Sequence, residues 1–350
     1  MTYILLVILL LAVYILVAEL YPVRFFKVEK VNKASFPELP PVYLYSFELH
    51  IHTQFSYDSL GKPEDLKKAS REEDIDFLII TDHDNDHIKY FADEGIIAGK
   101  EVKITDEKGR VLGDILEVGD LKVVAHPFKE KYKWRLPLPE EYLFELIDLK
   151  DALLERKMLL FFLLPYITLR SLISINLALN FIKRLVDIKR YALMYMKMGI
   201  KNPIVAGLDH HVKVYIREVG IRFLFPNYTH SFRILRNFLI SSKRIESKED
   251  FLKELKRGKG VISFSKKSTL FWQEGSWLKI LPPTNCLLLV LEKEREKSYL
   301  GSYFELPIPS ENSLFLGYTY KFRLWNFYFG LVPLFIFSFR EDKHARATAS

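Results

Sequence analysis

The stretch SFELHIHTQFSYDS, residues 46–59, decides how the rest of the chain is interpreted. It places His50 and His52 one residue apart at the end of a β-like run, and Asp58 follows six positions after His52. Because successive side chains of a strand point to opposite faces, the two histidines lie on the same side and can converge on one ion. Most such pairs in strands bind nothing, so this pair predicts a metal site only if other residues join it.

Three further apolar runs also end in imidazole or carboxylate side chains. They are LIITDHDNDH with His83, VVAHP with His126, and IVAGLDHH with Asp209, His210 and His211. Core strands have no other reason to stop on imidazole, so four such strand ends together predict metal coordination. Nitrogen and carboxylate ligands suit Zn, Mn or Fe, and bridging carboxylates allow two or three ions side by side. A cluster of this kind activates water and polarises a phosphoryl group, which predicts hydrolysis.

The order of elements from residue 42 onward predicts an α/β fold. Apolar strand-like runs alternate with helical patterns, which favours a sheet or barrel with functional groups at its strand ends. Residues 141–198 are predicted to be a helical insertion. Pro165 and Arg170 interrupt its apolar part, residues 158–180, so packing on the core or contact with a membrane is favoured over a second span. The run YTHSFRILRNFLISS is predicted to be a helix.

Residues 1–23 predict an uncleaved, single-pass membrane anchor, because Tyr3 to Ala18 is uncharged and apolar. A cleaved signal peptide is the main alternative, but a basic n-region and a small-x-small cleavage site are absent. Arg24, Lys27, Lys30 and Lys33 follow the apolar run, and the positive-inside rule then favours a cytoplasmic body. Residues 24–41 read as a linker.

The end of the chain and its composition complete this interpretation. Short apolar and aromatic runs after residue 265 predict a small antiparallel β domain over 266–343. The single cysteine, Cys286, excludes an intrachain disulfide and a cysteine-based zinc site. The net charge of +7 is spread along the 350 residues without a basic tract interleaved with aromatics, so nucleic-acid binding is not expected.

Taken in order, the motifs ELHIHTQFSYDS, DIDFLIITDHD, AGKE, VVAHP and GLDHH resemble those of the PHP family, named for polymerase and histidinol phosphatase domains. The resemblance implies a metallohydrolase domain over residues 42–265 with a distorted (β/α)7-type barrel. It also implies a cluster of up to three divalent metal ions and hydrolysis of phosphoesters. The expected substrate is a phosphorylated small molecule or a lipid-linked phosphoester, with the membrane reached through the N-terminal helix.

Carried over motif by motif, the resemblance implies eight metal ligands. They are His50, His52, Asp58, His83, Glu101, His126, Asp209 and His211. In the last motif His210 is the alternative to His211. Asp209 is also a catalytic candidate, because an Asp or His of the cluster would protonate the leaving group.

One departure from the family pattern concerns Arg110. Family members commonly carry a further histidine in a stretch like GRVLGDI, where this chain has Arg110. Its loss would leave a two-metal site, or Arg110 would grip a substrate phosphate through its guanidinium group. Two other hypotheses stay open. One is a PHP module that binds metal or ligand without turnover, as a membrane scaffold would, and the other is a metal-assisted hydrolase of C–N or C–O bonds.

Overall fold

The structure is a computed structural model that describes residues 2–29, 38–218, 221–293, 295–309 and 312–339. The first part contains, in chain order, α1 (Thr2–Leu20), β1 (Val23–Phe25), β2 (Tyr43–Ile51), α2 (Pro63–Glu73), β3 (Phe77–His83), a 3-10 helix (His87–Phe91), β4 (Ile96–Thr105), β5 (Val111–Val118), β6 (Leu121–Ala125) and β7 (Leu143–Asp148). Four helices follow: α3 (Leu149–Leu154), α4 (Lys157–Ile173), α5 (Ile175–Lys183) and α6 (Ile188–Met198).

The second part is mostly strands. It begins with β8 (Ile204–Gly207), β9 (Val214–Glu218), β10 (Ile221–Phe225), α7 (Tyr228–Ile234), β11 (Arg236–Ser241), α8 (Lys248–Lys256) and β12 (Gly260–Ser263). It ends with β13 (Leu270–Glu274), β14 (Trp277–Leu281), β15 (Cys286–Leu291), β16 (Glu296–Gly301), β17 (Phe304–Pro307), β18 (Ser313–Thr319), β19 (Phe322–Leu324), β20 (Phe327–Phe329) and β21 (Val332–Phe339).

One large mixed sheet organises the fold. Its thirteen strands lie in the order β16-β15-β18-β21-β12-β11-β2-β3-β4-β5-β6-β7-β8. The pairs β2/β3, β3/β4, β6/β7 and β7/β8 are parallel, and the others are antiparallel. Parallel neighbours end at the same edge of a sheet, so the residues that follow β2, β3, β6 and β8 are brought together. The α/β class is confirmed.

The expected closed barrel is not confirmed. No ladder joins β8 to β2 among the described residues, and the sheet stays open there. The chain beyond β8 nevertheless reaches β2, because Leu208 N donates to Leu49 O at 3.0 Å and His52 N donates to His210 O at 3.0 Å. The seven strands β2 to β8 therefore curve far enough for their two ends to meet through a few hydrogen bonds.

Parts of two segments that were predicted to be helical are strands instead. Residues 143–148, placed in the helical insertion, form the buried strand β7, so the helices begin at Leu149. The second half of YTHSFRILRNFLISS is β11, which pairs with β2 and β12. Both runs are apolar and short, and pairing with neighbouring strands overrides their helical pattern.

The C-terminal strands are antiparallel, as expected, but they do not form one separate sheet. β15, β16, β18 and β21 extend the large sheet through the pairing of β21 with β12. β13, β14 and β17 form a second sheet. β20 pairs with β19 and with β1, which lies in the expected linker. Residues 30–37 of that linker and 340–343 of the expected domain lie outside the described residues.

Helix α1 is long and apolar enough to cross a membrane and has few buried residues. A signal sequence would meet the same criteria. Only its C-terminal part packs on the rest of the chain, where Ala18 joins Leu163, Tyr166 and Ile167 of α4 in a small buried cluster. The helix is therefore a candidate membrane span.

Candidate metal centre

The eight ligands expected from the sequence converge on one place, and Glu101 lies at its centre. Glu101 Oε2 is 3.1 Å from His83 Nδ1, 3.3 Å from His52 Nε2 and 3.5 Å from His50 Nε2. The other oxygen, Oε1, is 3.3 Å from His126 Nε2. Four imidazoles from β2, β3 and the end of β6 thus face one carboxylate on β4.

Asp209 is a second shared carboxylate. Its Oδ1 lies 3.1 Å from His211 Nδ1, 3.5 Å from His52 Nε2 and 3.8 Å from His50 Nε2. Its Oδ2 lies 3.8 Å from His126 Nε2. Glu101 and Asp209 therefore lie close to overlapping sets of histidines. Carboxylates that bridge two ions in multinuclear sites have the same arrangement.

Asp58 completes the outer side of the cluster. Its Oδ2 is 3.1 Å from His211 Nε2, and its Oδ1 is 3.7 Å from His83 Nε2. The imidazoles of His52 and His211 stack with their centroids 4.0 Å apart. Asp58 and His83 are the partly exposed members, so this side opens to solvent.

The backbone is unusual at three of these residues. His50, His126 and Asp209 have φ values of 61°, 48° and 43°, in the left-handed region that non-glycine residues avoid. At His50 the pairing of β2 with β3 also shifts register between Leu49 and Ile51. Such conformations cost about 1–3 kcal/mol each and persist only where the surroundings hold them. Here they turn ligand side chains toward the centre where strands end.

Buried carboxylates fix the tautomer of two histidines. Glu145 Oε1 lies 2.7 Å from His50 Nδ1, and a carboxylate only accepts, so Nδ1 donates to Glu145 and Nε2 is the nitrogen that faces the cluster and would bind an ion in place of its proton. Asp151 Oδ2 accepts from His126 Nδ1 at 3.0 Å and has the same effect, and Asp148 Oδ2 lies 3.1 Å from that nitrogen without a hydrogen bond. Such partners are typical of metal-binding histidines.

His52 is oriented by a hydroxyl. His52 Nδ1 lies 3.0 Å from Ser56 Oγ, and Ser56 Oγ donates to Asp82 Oδ1 at 2.9 Å. Asp82 also accepts from the backbone N–H and the hydroxyl of Thr53 at 2.6 and 2.7 Å. Because the Ser56 hydroxyl donates its hydrogen bond to Asp82, its oxygen can only accept from His52. His52 Nδ1 is therefore the donor, and His52 Nε2 faces the cluster.

The titration behaviour reflects this crowding. Burial opposes ionisation of Glu101 and Asp209, but the histidines around them outweigh it and hold the pKa of both carboxyls well below the usual range. Burial lowers the pKa of His52 to about 3, so this imidazole stays neutral, as a ligand must. An ionised Asp209 fits a ligand better than a proton donor.

Several buried polar atoms in the cluster lack a hydrogen-bond partner. They are His50 Nε2, His52 Nε2, His211 Nε2, Glu101 Oε2 and Asp148 Oδ2. Leaving such atoms unsatisfied is costly, and coordination of a cation would satisfy all of them. Ligand atoms also lie within 4.8 Å of one another in overlapping sets such as His52, His83 and His211, or His50, His52 and Glu101. The donor set therefore fits divalent cations.

The structure does not bring Arg110 to the cluster. Arg110 lies in the turn between β4 and β5, its side chain is 75% exposed, and its Nε donates to Asp106 at 2.7 Å. In the same stretch Asp114 is buried, and a carboxylate oxygen lies within 4.8 Å of ligand atoms of Glu101 and His126. Burial, followed by the charge of Glu101, raises the pKa of Asp114 to about 6. The side chain of GRVLGDI that faces the site is therefore Asp114.

His210 and His211 point to different places. His211 joins the cluster, whereas His210 Nδ1 lies 2.8 Å from Ser231 Oγ and its ring packs on Tyr228. Sequence reasoning missed Glu145, Asp148, Lys150 and Asp151 because it placed them in a helical insertion. Their signal is the run ELIDLKD, where an apolar strand ends in acidic and basic residues, as the other ligand-bearing strands do.

Three lysines line the partly exposed side of the cluster. Lys150 Nζ donates to Asp209 Oδ2 at 2.6 Å, Lys129 Nζ to Asp151 Oδ1 at 2.5 Å, and Lys213 Nζ to the backbone oxygen of Asp58 at 2.6 Å. Each is at least one-third exposed. Three ammonium groups therefore stand at the entrance, each beside a carboxylate and within reach of an anionic ligand.

Comparison with known proteins places part of the chain in a class. Residues 48–150 match the family model of the PHP domain. The resemblance inferred from the motifs is thus confirmed over this range, and together with the ligand cluster it supports a metal-dependent hydrolase. Asp209 and His211 lie beyond the matched residues.

Two further comparisons add little. The sequence matches no curated protein. A solved two-domain protein from Bacteroides vulgatus ATCC 8482, which contains a predicted PHP-like metal-dependent phosphoesterase, is 12% identical, with 83% of this chain and 95% of that chain covered and a TM-score of 0.38. That similarity is too low to support a conclusion.

Proposed function

We propose that the protein is a membrane-anchored, metal-dependent phosphoesterase with two or three divalent ions. The observation that carries the proposal is the convergence of five imidazoles and three carboxylates, among which buried atoms of His50, His52, His211 and Glu101 have no hydrogen-bond partner. His50, His52, Asp58, His83, Glu101, His126, Asp209 and His211 would hold the ions. Bound there, Zn, Mn or Fe would polarise the phosphoryl oxygens and make a water nucleophilic at neutral pH.

The surrounding side chains suit a phosphoester. Lys129, Lys150 and Lys213 stand at the entrance, and their ammonium groups would attract and orient a phosphate. Arg110, exposed and paired with Asp106, is a less suitable candidate for that role. A hydrolase of amides or lactones would have less use for three lysines at its entrance.

Helix α1 is proposed to be the anchor, with the folded body on the cytoplasmic side. Support comes from its length and apolar character and from Arg24 and Lys27, which follow it. A membrane position favours phosphorylated small molecules near the bilayer or lipid-linked phosphoesters as substrates. N-terminal sequencing of the purified protein tests the anchor, because a cleaved signal sequence would remove α1.

The decisive experiment uses the full chain in detergent. Bound metals are measured by elemental analysis, and hydrolysis of p-nitrophenyl phosphate and bis-p-nitrophenyl phosphate is compared with that of amide and lactone substrates. The variant carries His50→Ala and His52→Ala, and the control is His87→Ala, an exposed histidine outside the cluster. We expect the double variant to lose both metal and phosphoester hydrolysis, and the control to keep both.

Each other outcome has a definite meaning. Metal binding without hydrolysis of any substrate would favour a module that binds without turnover. Preferred hydrolysis of amides or lactones would favour another class of metallohydrolase. A wild-type chain without metal, and a double variant that folds identically, would refute the metal site itself.

A further inference from the structure

Helix α4 exposes an unusual amount of apolar surface. Met158 is 74% exposed and Leu172 is 81% exposed, and Phe161 and Ile173 are similarly open. These side chains cover almost the whole length of the helix, while its other side packs on α1 and α5. Exposed apolar side chains along a whole helix indicate an interaction site, because the exposure of apolar surface to water is unfavourable.

A second apolar surface lies beside α1, in the β19–β20 hairpin. Trp325 at its tip is 80% exposed, and Phe322, Leu324 and Phe327 are about half exposed. The hairpin is tied to the end of α1, because β20 pairs with β1, which follows α1 directly. In addition, Gly330 N donates to Leu20 O at 2.8 Å. Aromatic side chains of this kind are enriched at membrane interfaces.

The contacts of α4 show that it crosses α1 steeply. Arg156, just before α4, donates to Tyr21 Oη at 2.6 Å, and Arg170, near its end, pairs with Glu19. These two arginines are separated by about 21 Å of helix. A helix running alongside α1 would shift its contacts along α1 by a similar distance and in one direction. Instead, Phe162 in the middle of α4 accepts from Tyr14 Oη at 2.9 Å, while both ends of α4 contact residues 19–21, so the contacts cover a rise of only about 11 Å. The length of the side chains accounts for only part of the difference between the roughly 21 Å along α4 and the shorter distance along α1. If α1 crosses a bilayer, α4 therefore lies close to the plane of its surface.

Charges at the base of α1 fit the same arrangement. Glu19 pairs with both Arg170 and Lys321, and Asp187 pairs with both Arg24 and Arg156. Four cations thus share two carboxylates, which leaves an excess of positive charge where α1 meets the folded body. Lipid headgroups that carry phosphate are complementary to this excess.

We propose that α4 and the β19–β20 hairpin lie in the interface of the lipid bilayer that α1 crosses, with α4 parallel to the bilayer plane. The folded body is then docked on the membrane at two places around the anchor instead of being tethered at one. This inference rests on the anchor in the proposed function, and it adds a surface and an orientation that the anchor alone does not give.

Spin labels on single cysteines test the proposal in the full chain, reconstituted into phosphatidylcholine and phosphatidylserine nanodiscs. The native Cys286 is buried and should not react with the label, so the wild type treated with the same label serves as the blank. Labels are placed at Met158→Cys, Leu172→Cys and Trp325→Cys, with Lys256→Cys on the exposed side of α8 as the aqueous control. Accessibility to oxygen and to a water-soluble nickel complex gives the depth of each label.

We expect the first three labels to be accessible to oxygen and shielded from nickel, at similar shallow depths, and the control to show the reverse. Depths at 158 and 172 that differ by about 21 Å would mean that α4 spans the bilayer, and this would overturn the in-plane orientation. Labels that behave like the control, or that are shielded from both reagents by protein packing, would overturn the membrane contact.

A label at Leu9→Cys, in the middle of α1, separates failure of this inference from failure of the anchor. If Leu9 is deep while 158, 172 and 325 are aqueous, the anchor stands and the docking surface is refuted. If Leu9 is also aqueous, α1 does not cross the bilayer, and the membrane part of the proposed function fails together with the inference.

Discussion

Glu145 offers the sharpest test of how the site is built. The carboxylate is fully buried, and each of its oxygens has one partner: Oε1 lies 2.7 Å from His50 Nδ1, and Oε2 accepts from the backbone N–H of His126 at 2.8 Å. In Glu145→Gln the shape is kept, but only one oxygen remains to accept. The amide group must then face either His50 or His126 N with a donor.

The consequence for His50 follows from its two ring nitrogens. If the glutamine oxygen keeps the His126 N–H, its amide donates to His50 Nδ1, and the imidazole proton moves to Nε2, which faces the cluster and is lost as a ligand. If the glutamine oxygen instead accepts from His50 Nδ1, the backbone N–H of His126 is left without an acceptor. This would lower the free energy of unfolding by about 1–3 kcal/mol. Changes to such partners typically lower metal affinity about 10–100-fold, and we expect a loss of that size.

Metal titration calorimetry on the chelator-treated full chain measures this loss, and circular dichroism checks the fold. The control is Glu94→Gln, which removes the same charge from an exposed position. A folded Glu145→Gln variant whose metal affinity and stoichiometry stay within about twofold of the wild type would refute the assigned role of Glu145.

Three further outcomes are expected. At saturating metal concentration, Lys150→Gln should raise KM for an anionic phosphoester about tenfold, since Lys150 stands at the entrance; unchanged steady-state kinetics would contradict this. Removal of metal by chelator should lower the melting temperature, because an ion that binds the folded state stabilises it by about 3–4 kcal/mol at high saturation; an unchanged melting temperature would count against a bound ion. Burial and then Arg236 lower the pKa of Lys183 to about 8, from 10.5, so the folded state binds fewer protons between these values and stability rises there with pH. Between pH 7 and pH 10.5, the stability of the wild type relative to Lys183→Met should therefore increase by about 3 kcal/mol, and a difference independent of pH would contradict this.

The convergence of the ligands could be predicted because it depends on a simple property of sheets. His50, His83, His126 and Asp209 each follow or end an apolar run, and such runs form strands whose ends meet at one edge. Their sequence order does not matter for this argument. The residues that end these strands are therefore neighbours even where more than eighty positions separate them along the chain.

The supporting residues could not be predicted by the same reasoning. The run LFELID is short, apolar and buried on both faces, and such a run does not distinguish a strand from a buried helix. Its assignment to the helical insertion hid Glu145 and Asp148. Arg110 was misplaced for a related reason, because the register of β4 with β5 puts Lys103 opposite Asp114 and sends Arg110 into the turn. Register depends on pairing, which a single sequence does not display.

Glu145 also explains how two strained ligands are held. His50 and His126 both have left-handed backbone conformations, and both are bonded to this one carboxylate, one through its ring and the other through its backbone N–H. Gly207 packs against the same carboxylate, where a Cβ atom would clash with Oε1. A residue that no motif identified thus fixes the geometry of two that the motifs did identify.

The same segment connects the candidate metal centre to α4. β7 and α3 supply Glu145, Asp148 and Asp151 to the site, and α4 begins at Lys157, six residues after Asp151. Six residues span at most about 20 Å. If α4 lies in the bilayer interface, the metal centre is held within about 20 Å of the start of this helix. A flexible tether would not fix the height of the site above the bilayer in this way. A site fixed so close to the bilayer favours a substrate that is itself confined to the membrane, and for this reason lipid-linked phosphoesters are the first class to assay.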